Sequence, residues 1–165
     1  SKLEDKLNVL QEEVLDVPSL LPHCYQDGLA LSSGQHQIRL DVQSDCKLLG
    51  CADELRSAFS NLISNAIRYT PPGGEIVLNW RLLDNGQPVF SVKDGGIGIA
   101  PQHISRLTER FYRVDSSRSR ATGGTGLGLA IVKHIANRHQ ARLDIVSEEG
   151  KGSTFSIEFP ARRRR

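Results

Sequence analysis

The sequence has only three cysteines, Cys24, Cys46 and Cys51, with no CxxC pair and no clustered histidines. This argues against a disulfide framework and a zinc site, and points to a reducing compartment. No stretch approaches the ~18 uninterrupted apolar residues of a membrane-spanning helix. The first residues, SKLEDKLN, do not have the pattern of an export signal. An excess of one charge sign is also absent. The 21 Lys plus Arg and 19 Asp plus Glu leave a net charge of +2, which gives no reason to expect a polyelectrolyte partner. Several catalytic and phosphate-binding signatures are missing too: no GxxxxGK(S/T), no GxSxG and no HExxH occur. Gly124-Thr125-Gly126-Leu127-Gly128 reads GxGxG rather than GxGxxG. Serine hydrolase, zinc protease and dinucleotide-fold readings therefore have no support.

What remains is an ordinary globular composition, 38% apolar and 24% charged, in a 165-residue chain long enough for one domain with a real core. Leu3, Leu7, Leu10 and Val14 predict an amphipathic helix over residues 1–15 that ends before Pro18. A second helix is expected from Pro18 to Leu31, then short strands at Gln37–Val42 and Lys47–Cys51. Asp53 reads as the N-cap of a long helix to Tyr69, with Leu55, Phe59, Leu62, Ile63, Ala66 and Ile67 on its apolar side. The run Pro71-Pro72-Gly73-Gly74 stops that helix. Alternating strands Glu75–Leu82 and Pro88–Asp94 are expected, joined at Asp84-Asn85-Gly86. A long polar segment, Gly95–Thr125, follows, with a short helix near Gln102–Thr108; such a connection is usually functional. The helix Leu127–His139 and strands Leu143–Ser147 and Thr154–Phe159 complete the chain. The order favours an α+β fold, a two-layer sandwich of a mixed sheet of about five strands with three main helices on one face. The tail Arg162–Arg165 reads as a solvated or truncated basic terminus rather than a phosphate-binding or localisation element.

Three segments carry chemistry. GGTGLGLAIVKHI, residues 123–135, crowds glycines before a helix start, where unpaired N–H groups and about half a positive charge suit phosphate. In DGGIGI, residues 94–99, a carboxylate ends an apolar strand and is followed by glycines that admit a ligand close to the backbone. Such a carboxylate would accept from an exocyclic amine. In NLISNAIRYTP, residues 61–71, Asn61, Asn65 and Arg68 share one helix face, with Tyr69 next to them. Amide oxygens, a guanidinium and an aromatic ring can meet a metal, phosphate and a base.

Taken in order, NLISNAIRYTP, DGGIGIAP, TERFYRVD, GGTGLGLAIV and GKGSTF resemble the five boxes of sensor histidine kinase catalytic domains. RLTERFYRVDSSRSR is particularly similar to the phosphate-regulon sensor kinases. The resemblance covers residues 15–160 and implies an ATP-binding sandwich of the gyrase and heat-shock-90 type, with magnesium held between the long helix and a mobile lid. It implies that Asn65 coordinates magnesium with help from Asn61, and that Arg68 meets phosphate. Tyr69 would pack on adenine, whose amine Asp94 would accept. Gly96 and Gly98 would shape the base pocket, and Gly124, Gly126 and Gly128 would admit the phosphates. Ile99, Thr125, Leu127 and Thr154 join the nucleotide-binding set, Arg113 and Arg118 would steady the terminal phosphates during transfer, and Phe111 would seat the lid. The family usually has asparagine where this chain has Gly95.

None of the five histidines, His23, His36, His103, His134 and His139, is followed by the acidic residue of a phosphoacceptor site. His134 and His139 read as decoration of their helix. The chain is therefore expected to be a catalytic module (residues 16–161) behind the tail of a dimerisation helix or a linker (1–15) and ahead of the basic tail (162–165). It would pass phosphate to a histidine on a separate dimerisation domain and act upstream of a response regulator. The implied setting is the cytoplasm, with the parent anchored in a bacterial inner membrane and no nucleic-acid or membrane contact by this segment. Two alternatives stay open: a transfer-inactive nucleotide-binding module acting by partner docking, and a hydrolase of the gyrase type. The latter would want a glutamate where Ser64 and Asn65 stand.

Overall fold

The computed structural model describes residues 9–109 and 128–165. In chain order the elements are β1 (Glu13–Leu15), α1 (Val17–Ser32), β2 (Gln37–Val42), β3 (Leu48–Gly50), α2 (Ala52–Tyr69), β4 (Glu75–Leu82), β5 (Pro88–Asp94), α3 (Pro101–Ile104), α4 (Gly128–Arg138), β6 (Arg142–Glu148) and β7 (Gly152–Glu158). A 3-10 turn at Ala161–Arg163 follows.

Side-chain alternation builds the sheet. Its five strands run in the order β2-β4-β5-β7-β6, with β2 parallel to β4 and the other pairs antiparallel. The register places Leu40, Leu78, Val92, Phe155 and Ile145 in one row across the sheet, and Trp80, Phe90, Ile157 and Leu143 in the next. A strand turns successive side chains to opposite faces, so these rows form one apolar face. The intervening rows, such as Asp41, Asn79, Ser91, Ser156 and Asp144, are polar and form the other. Helices α1, α2 and α4 cover the apolar face. Phe59 of α2 stacks on Phe90 with ring centroids 4.2 Å apart. Trp80 is fully buried, its indole N–H donating to the Cys46 carbonyl at 3.2 Å. The predicted two-layer sandwich is the observed one.

Several local expectations are corrected. The helix predicted over residues 1–15 does not extend to its predicted end, because Glu13–Leu15 is a strand paired antiparallel with β3, Val14 opposite Leu49. The open edge of β3 supplies backbone partners there, and an amphipathic stripe alone holds no helix without a surface to bury it. The N-cap of α2 is Cys51; Asp53 lies inside the first turn with Glu54, where acidic side chains favour the positive helix end. The helix near Gln102–Thr108 is the single turn α3, starting at Pro101 and followed by hydrogen-bonded turns. At the β4–β5 turn Gly86 adopts φ +87° and donates to the Leu83 carbonyl at 2.9 Å, while Asn85 keeps a negative φ. This is a turn closed by one left-handed glycine rather than a two-residue Asn-Gly loop.

The basic tail is solvated only in part: Arg162, Arg164 and Arg165 are exposed, whereas Arg163 is buried. Lys47 and Arg165 exchange backbone bonds of 2.8 Å each, so the tail pairs with the chain at β3. The Arg163 side chain is only 5% exposed. It donates to the Leu49 carbonyl at 2.8 Å and to the Gln140 amide oxygen at 2.6 Å, and pairs with Glu12 at 2.9 Å. His139 is equally inward, at 0% exposure. Its Nδ1–H donates to the Ile135 carbonyl at 2.8 Å, which leaves Nε2 bare to accept the Cys51 N–H at 3.1 Å. Burial, helped by the charge of Arg163 and opposed by the Ile135 bond, holds its pKa below the ordinary histidine value. Arg138 and Glu54 close this end of the molecule with two bonds of 2.8 and 2.9 Å.

Candidate functional site

Helix α2 places Asn61, Asn65 and Arg68 on one flank by its spacing of 3.6 residues per turn, beside the buried positions Leu62, Ile63 and Ala66. Asn65 is 7% exposed, and its amide has no hydrogen-bond partner among the described residues. The fully buried side-chain atoms without a partner among the described residues are Thr70 Oγ1 and Arg163 Nε, so the Asn65 amide, though nearly enclosed, still reaches solvent and can meet a ligand there. Asn61 spends its amide N–H on the Ser57 carbonyl at 2.8 Å, so its oxygen stays available as an acceptor. That oxygen faces the first residue of α4: a Cβ at Gly128 would sit 3.0 Å from it. Arg68 is half-buried and has neither an ion pair nor a hydrogen bond among the described residues.

Asp94 ends β5 on the helix-facing side and is 4% exposed. Burial raises its pKa above the ordinary carboxylate value, while the N–H groups of Gly96 and Ser153 pull the other way; the Gly96 bond is 2.9 Å. Gly96 brings this strand end to α2, since a Cβ there would collide with the Tyr69 carbonyl. Gly98 has φ +71° and runs against the Glu148 carbonyl, so the loop after Asp94 needs glycine twice for the chain's own packing. At Gly95, by contrast, a Cβ would meet nothing closer than the Glu75 carbonyl at 3.9 Å. Ile99 donates its N–H to Ser147 Oγ at 2.8 Å and packs on the core.

The fold therefore brings two clusters to one helix flank: Asn61 with Gly128 at one point, and Tyr69, Gly96 and Asp94 at the other. Eight residues separate Asn61 from Tyr69, a rise of about 12 Å along the axis. An extended ligand can be read at both ends: an amine donor at the buried carboxylate, and anionic or cationic groups at the amides and Arg68. Among the described residues no group of three or more His, Cys, Asp or Glu could hold a metal. A divalent cation here would depend on the two asparagine oxygens and on oxygens of the ligand, a donor set suited to a hard ion.

Thr154 lies away from this arrangement. It pairs with Lys93 and Val146 in the sheet row that faces away from Asp94. Ser153, its neighbour, is in register with Asp94 and on the helix-facing side. Sequence reasoning missed Ser153 and Ser147, although strand parity contains the signal: if Phe155 points inward, so does Ser153, and Thr154 does not. Phe111, Arg113, Arg118, Gly124, Thr125, Gly126 and Leu127 lie outside the described residues.

Comparisons with known proteins identify the family and the fold. Residues 50–163 match the family model described as histidine kinase-, DNA gyrase B-, and HSP90-like ATPase. The chain is 52% identical to the phosphate regulon sensor protein PhoR of Pseudomonas aeruginosa, over 95% of this chain and 38% of that protein. Among solved structures, the mycobacterial sensor histidine kinase MprB superposes with a TM-score of 0.80 at 28% identity, covering 90% of this chain and 97% of that one. Full-length ShkA, solved in complex with AMPPNP, gives 0.78 at 29% identity over 92% of this chain and 31% of that one. The chain spans well under half the length of the curated relatives it matches, 38% and 34% of the first two. Among the described residues no helix is long and apolar enough to cross a membrane.

Proposed function

Since the chain belongs to the histidine kinase-, DNA gyrase B- and HSP90-like ATPase family and has the fold of a sensor histidine kinase catalytic domain, we propose that it binds ATP with magnesium along the α2 flank and donates the γ-phosphoryl group to a histidine of a separate dimerisation domain. The observation that carries this reading is Asn65, a side chain 7% exposed whose amide makes no hydrogen bond within the described residues, set between the Asn61–Gly128 contact and the Asp94 carboxylate. In this reading Asp94 accepts from the adenine amine, and Tyr69 borders the base. Arg68 pairs with phosphate charge, and the Asn61 and Asn65 oxygens hold the cation. Magnesium, when bound, neutralises phosphate charge. The residues of this chain then bind and orient, which is most of what phosphoryl transfer asks of a protein. Arg113 and Arg118 are proposed to steady the terminal phosphates.

The transfer breaks the bond from the γ-phosphorus to the β,γ-bridging oxygen and forms a bond from that phosphorus to the histidine nitrogen. The proton leaving the histidine goes to a base on the dimerisation domain. A response regulator is the proposed onward acceptor, and the parent protein is proposed to be anchored in a bacterial inner membrane with this segment on the cytoplasmic side.

The test mixes the chain, magnesium and γ-labelled ATP with a separately produced dimerisation domain. The expected result is acid-labile, base-stable label on the partner histidine and none on the chain itself. Label on the chain, or steady phosphate release by the chain alone, would overturn the proposal. Nucleotide binding without any transfer would establish a docking module instead.

A further inference from the structure

We propose that Ser147 is a positioning residue: its hydroxyl fixes the loop Gly95–Ile99, and through that loop sets the Asp94 carboxylate to distinguish an adenine from a guanine nucleotide. The inference rests on the reading of the site given above.

Ser147 ends the inward row of β6, in register with Ser153 of β7, which is itself in register with Asp94. Its Oγ accepts the Ile99 N–H at 2.8 Å, lies 2.7 Å from Ser153 Oγ and donates to the Gly152 carbonyl at 3.1 Å. A hydroxyl has one proton and two lone pairs. With the proton on Gly152 and one lone pair on Ile99, the second lone pair takes the proton of Ser153. The hub is then saturated, and a chain of bonds runs from the β6–β7 hairpin into the loop.

The loop has two further attachments to that hairpin: the Gly150 N–H donates to the Ile97 carbonyl at 2.7 Å, and Gly98 rests on the Glu148 carbonyl. Its start is tied to the sheet, Gly95 N–H to the Glu75 carbonyl at 3.1 Å, and Gly96 N–H grips Asp94 Oδ1 at 2.9 Å. Ser147 is the one side chain among the described residues that bonds a loop amide from the hairpin side. Without its oxygen Ile99 N–H loses its partner, the far end of the loop is released and the Gly96 grip on Asp94 loosens. Adenine presents an amine donor where guanine presents a carbonyl. A rigid carboxylate therefore rewards the first and repels the second, and a loosened one separates them less.

The 165-residue chain, Ser147→Ala and Ser147→Thr are titrated with non-hydrolysable ATP and GTP analogues in the presence of magnesium. Amide exchange at Ile99 and nucleotide-free melting are read in parallel. The expected result is a loss of about tenfold in ATP-analogue affinity for Ser147→Ala, the value of one hydrogen bond, with a narrowed ATP-to-GTP ratio. Ile99 exchange should be faster, and the melting temperature within a few degrees of wild type. Ser147→Thr keeps the oxygen and restores both affinity and ratio. An unchanged ratio in Ser147→Ala, an equal loss for both nucleotides with a lowered melting temperature, or failure of threonine to rescue would overturn the inference. A wild-type chain that binds neither nucleotide overturns the reading of the site itself. This outcome is distinguishable, because the Ile99 exchange comparison still decides whether Ser147 holds the loop.

Discussion

The two ends of helix α2 handle polar groups in opposite ways. At its N-terminal end the polar groups are nearly all matched: Glu54 with Arg138, Cys51 N–H with His139, and Arg163 with Glu12, Gln140 and the Leu49 carbonyl, leaving Arg163 Nε as the buried atom there without a hydrogen bond among the described residues. Burial alone would raise the pKa of Glu54, yet the bonds and charge of Arg138 bring it below its ordinary value, as expected of a satisfied ion pair. Toward the C-terminal end, Asn65 is buried without a partner among the described residues, Arg68 has none either, and burial raises the Asp94 carboxyl. One end spends nearly all its polar groups on the fold. The other holds them ready for something the fold does not contain. Polarity at a buried position thus has two meanings, and the hydrogen-bond inventory separates them.

The contrast breaks if the two ends respond alike to substitution. The largest effect is expected at the saturated end. Arg163→Ala leaves Glu12 and two acceptors without their cation, and should cost about 3 kcal/mol of stability, or ~6–12 °C in melting temperature for a chain of this size. Nucleotide affinity should stay within about twofold of wild type; calorimetric melting and nucleotide titration on the same sample check both. Next comes Asp94→Asn, which removes the acceptor proposed for the adenine amine and should weaken an ATP analogue by about 100-fold, near 2.7 kcal/mol. The sign for stability is the reverse. A carboxyl whose folded pKa is raised stabilises the fold only while protonated, and that contribution is gone at neutral pH. The nucleotide-free variant should therefore melt no lower than wild type.

A smaller effect sharpens the comparison through pH. His139 is held neutral in the folded state, so its contribution is present above the unfolded histidine pKa of ~6.5 and is lost as pH falls through the lower folded value. Denaturant unfolding between pH 7 and 5 should show a loss to which this one proton adds at most ~1.4 kcal/mol per pH unit. His139→Gln should flatten that part of the slope without changing nucleotide affinity. The smallest effect is expected from Gly95→Asn. The site has room for the side chain and the backbone there has no positive φ, so affinity for an ATP analogue should change by less than about tenfold, or 1.4 kcal/mol.

Much of this organisation was legible in the sequence because strand parity and helix periodicity are local. Trp80, Phe90 and Ile157 alternate inward, and Asn61, Asn65 and Arg68 recur on one helix flank, without reference to any distant residue. What escaped was set by contacts distant in sequence. Glu13–Leu15 is a strand because β3 offers an edge, and the arginine tail is ordered because Arg163 finds Glu12, Leu49 and Gln140 across the fold. His139 read as decoration, since nothing nearby in sequence announces that it accepts from Cys51, 88 residues earlier. Thr154 is a different kind of miss: the motif drew attention to the threonine, while parity turns it to the other sheet face and leaves Ser153 beside Asp94.

The central claim is that the unsaturated flank of α2 receives an adenine nucleotide with a divalent cation. It is tested most directly by an NMR titration of the chain with magnesium and a non-hydrolysable ATP analogue, following backbone and asparagine side-chain amides. The prediction is saturable shifts concentrated at Asn61, Asn65, Arg68 and residues 94–99, with the Cys51, His139 and Arg163 end silent. No shifts at millimolar nucleotide, or shifts centred on the arginine end, would contradict the claim.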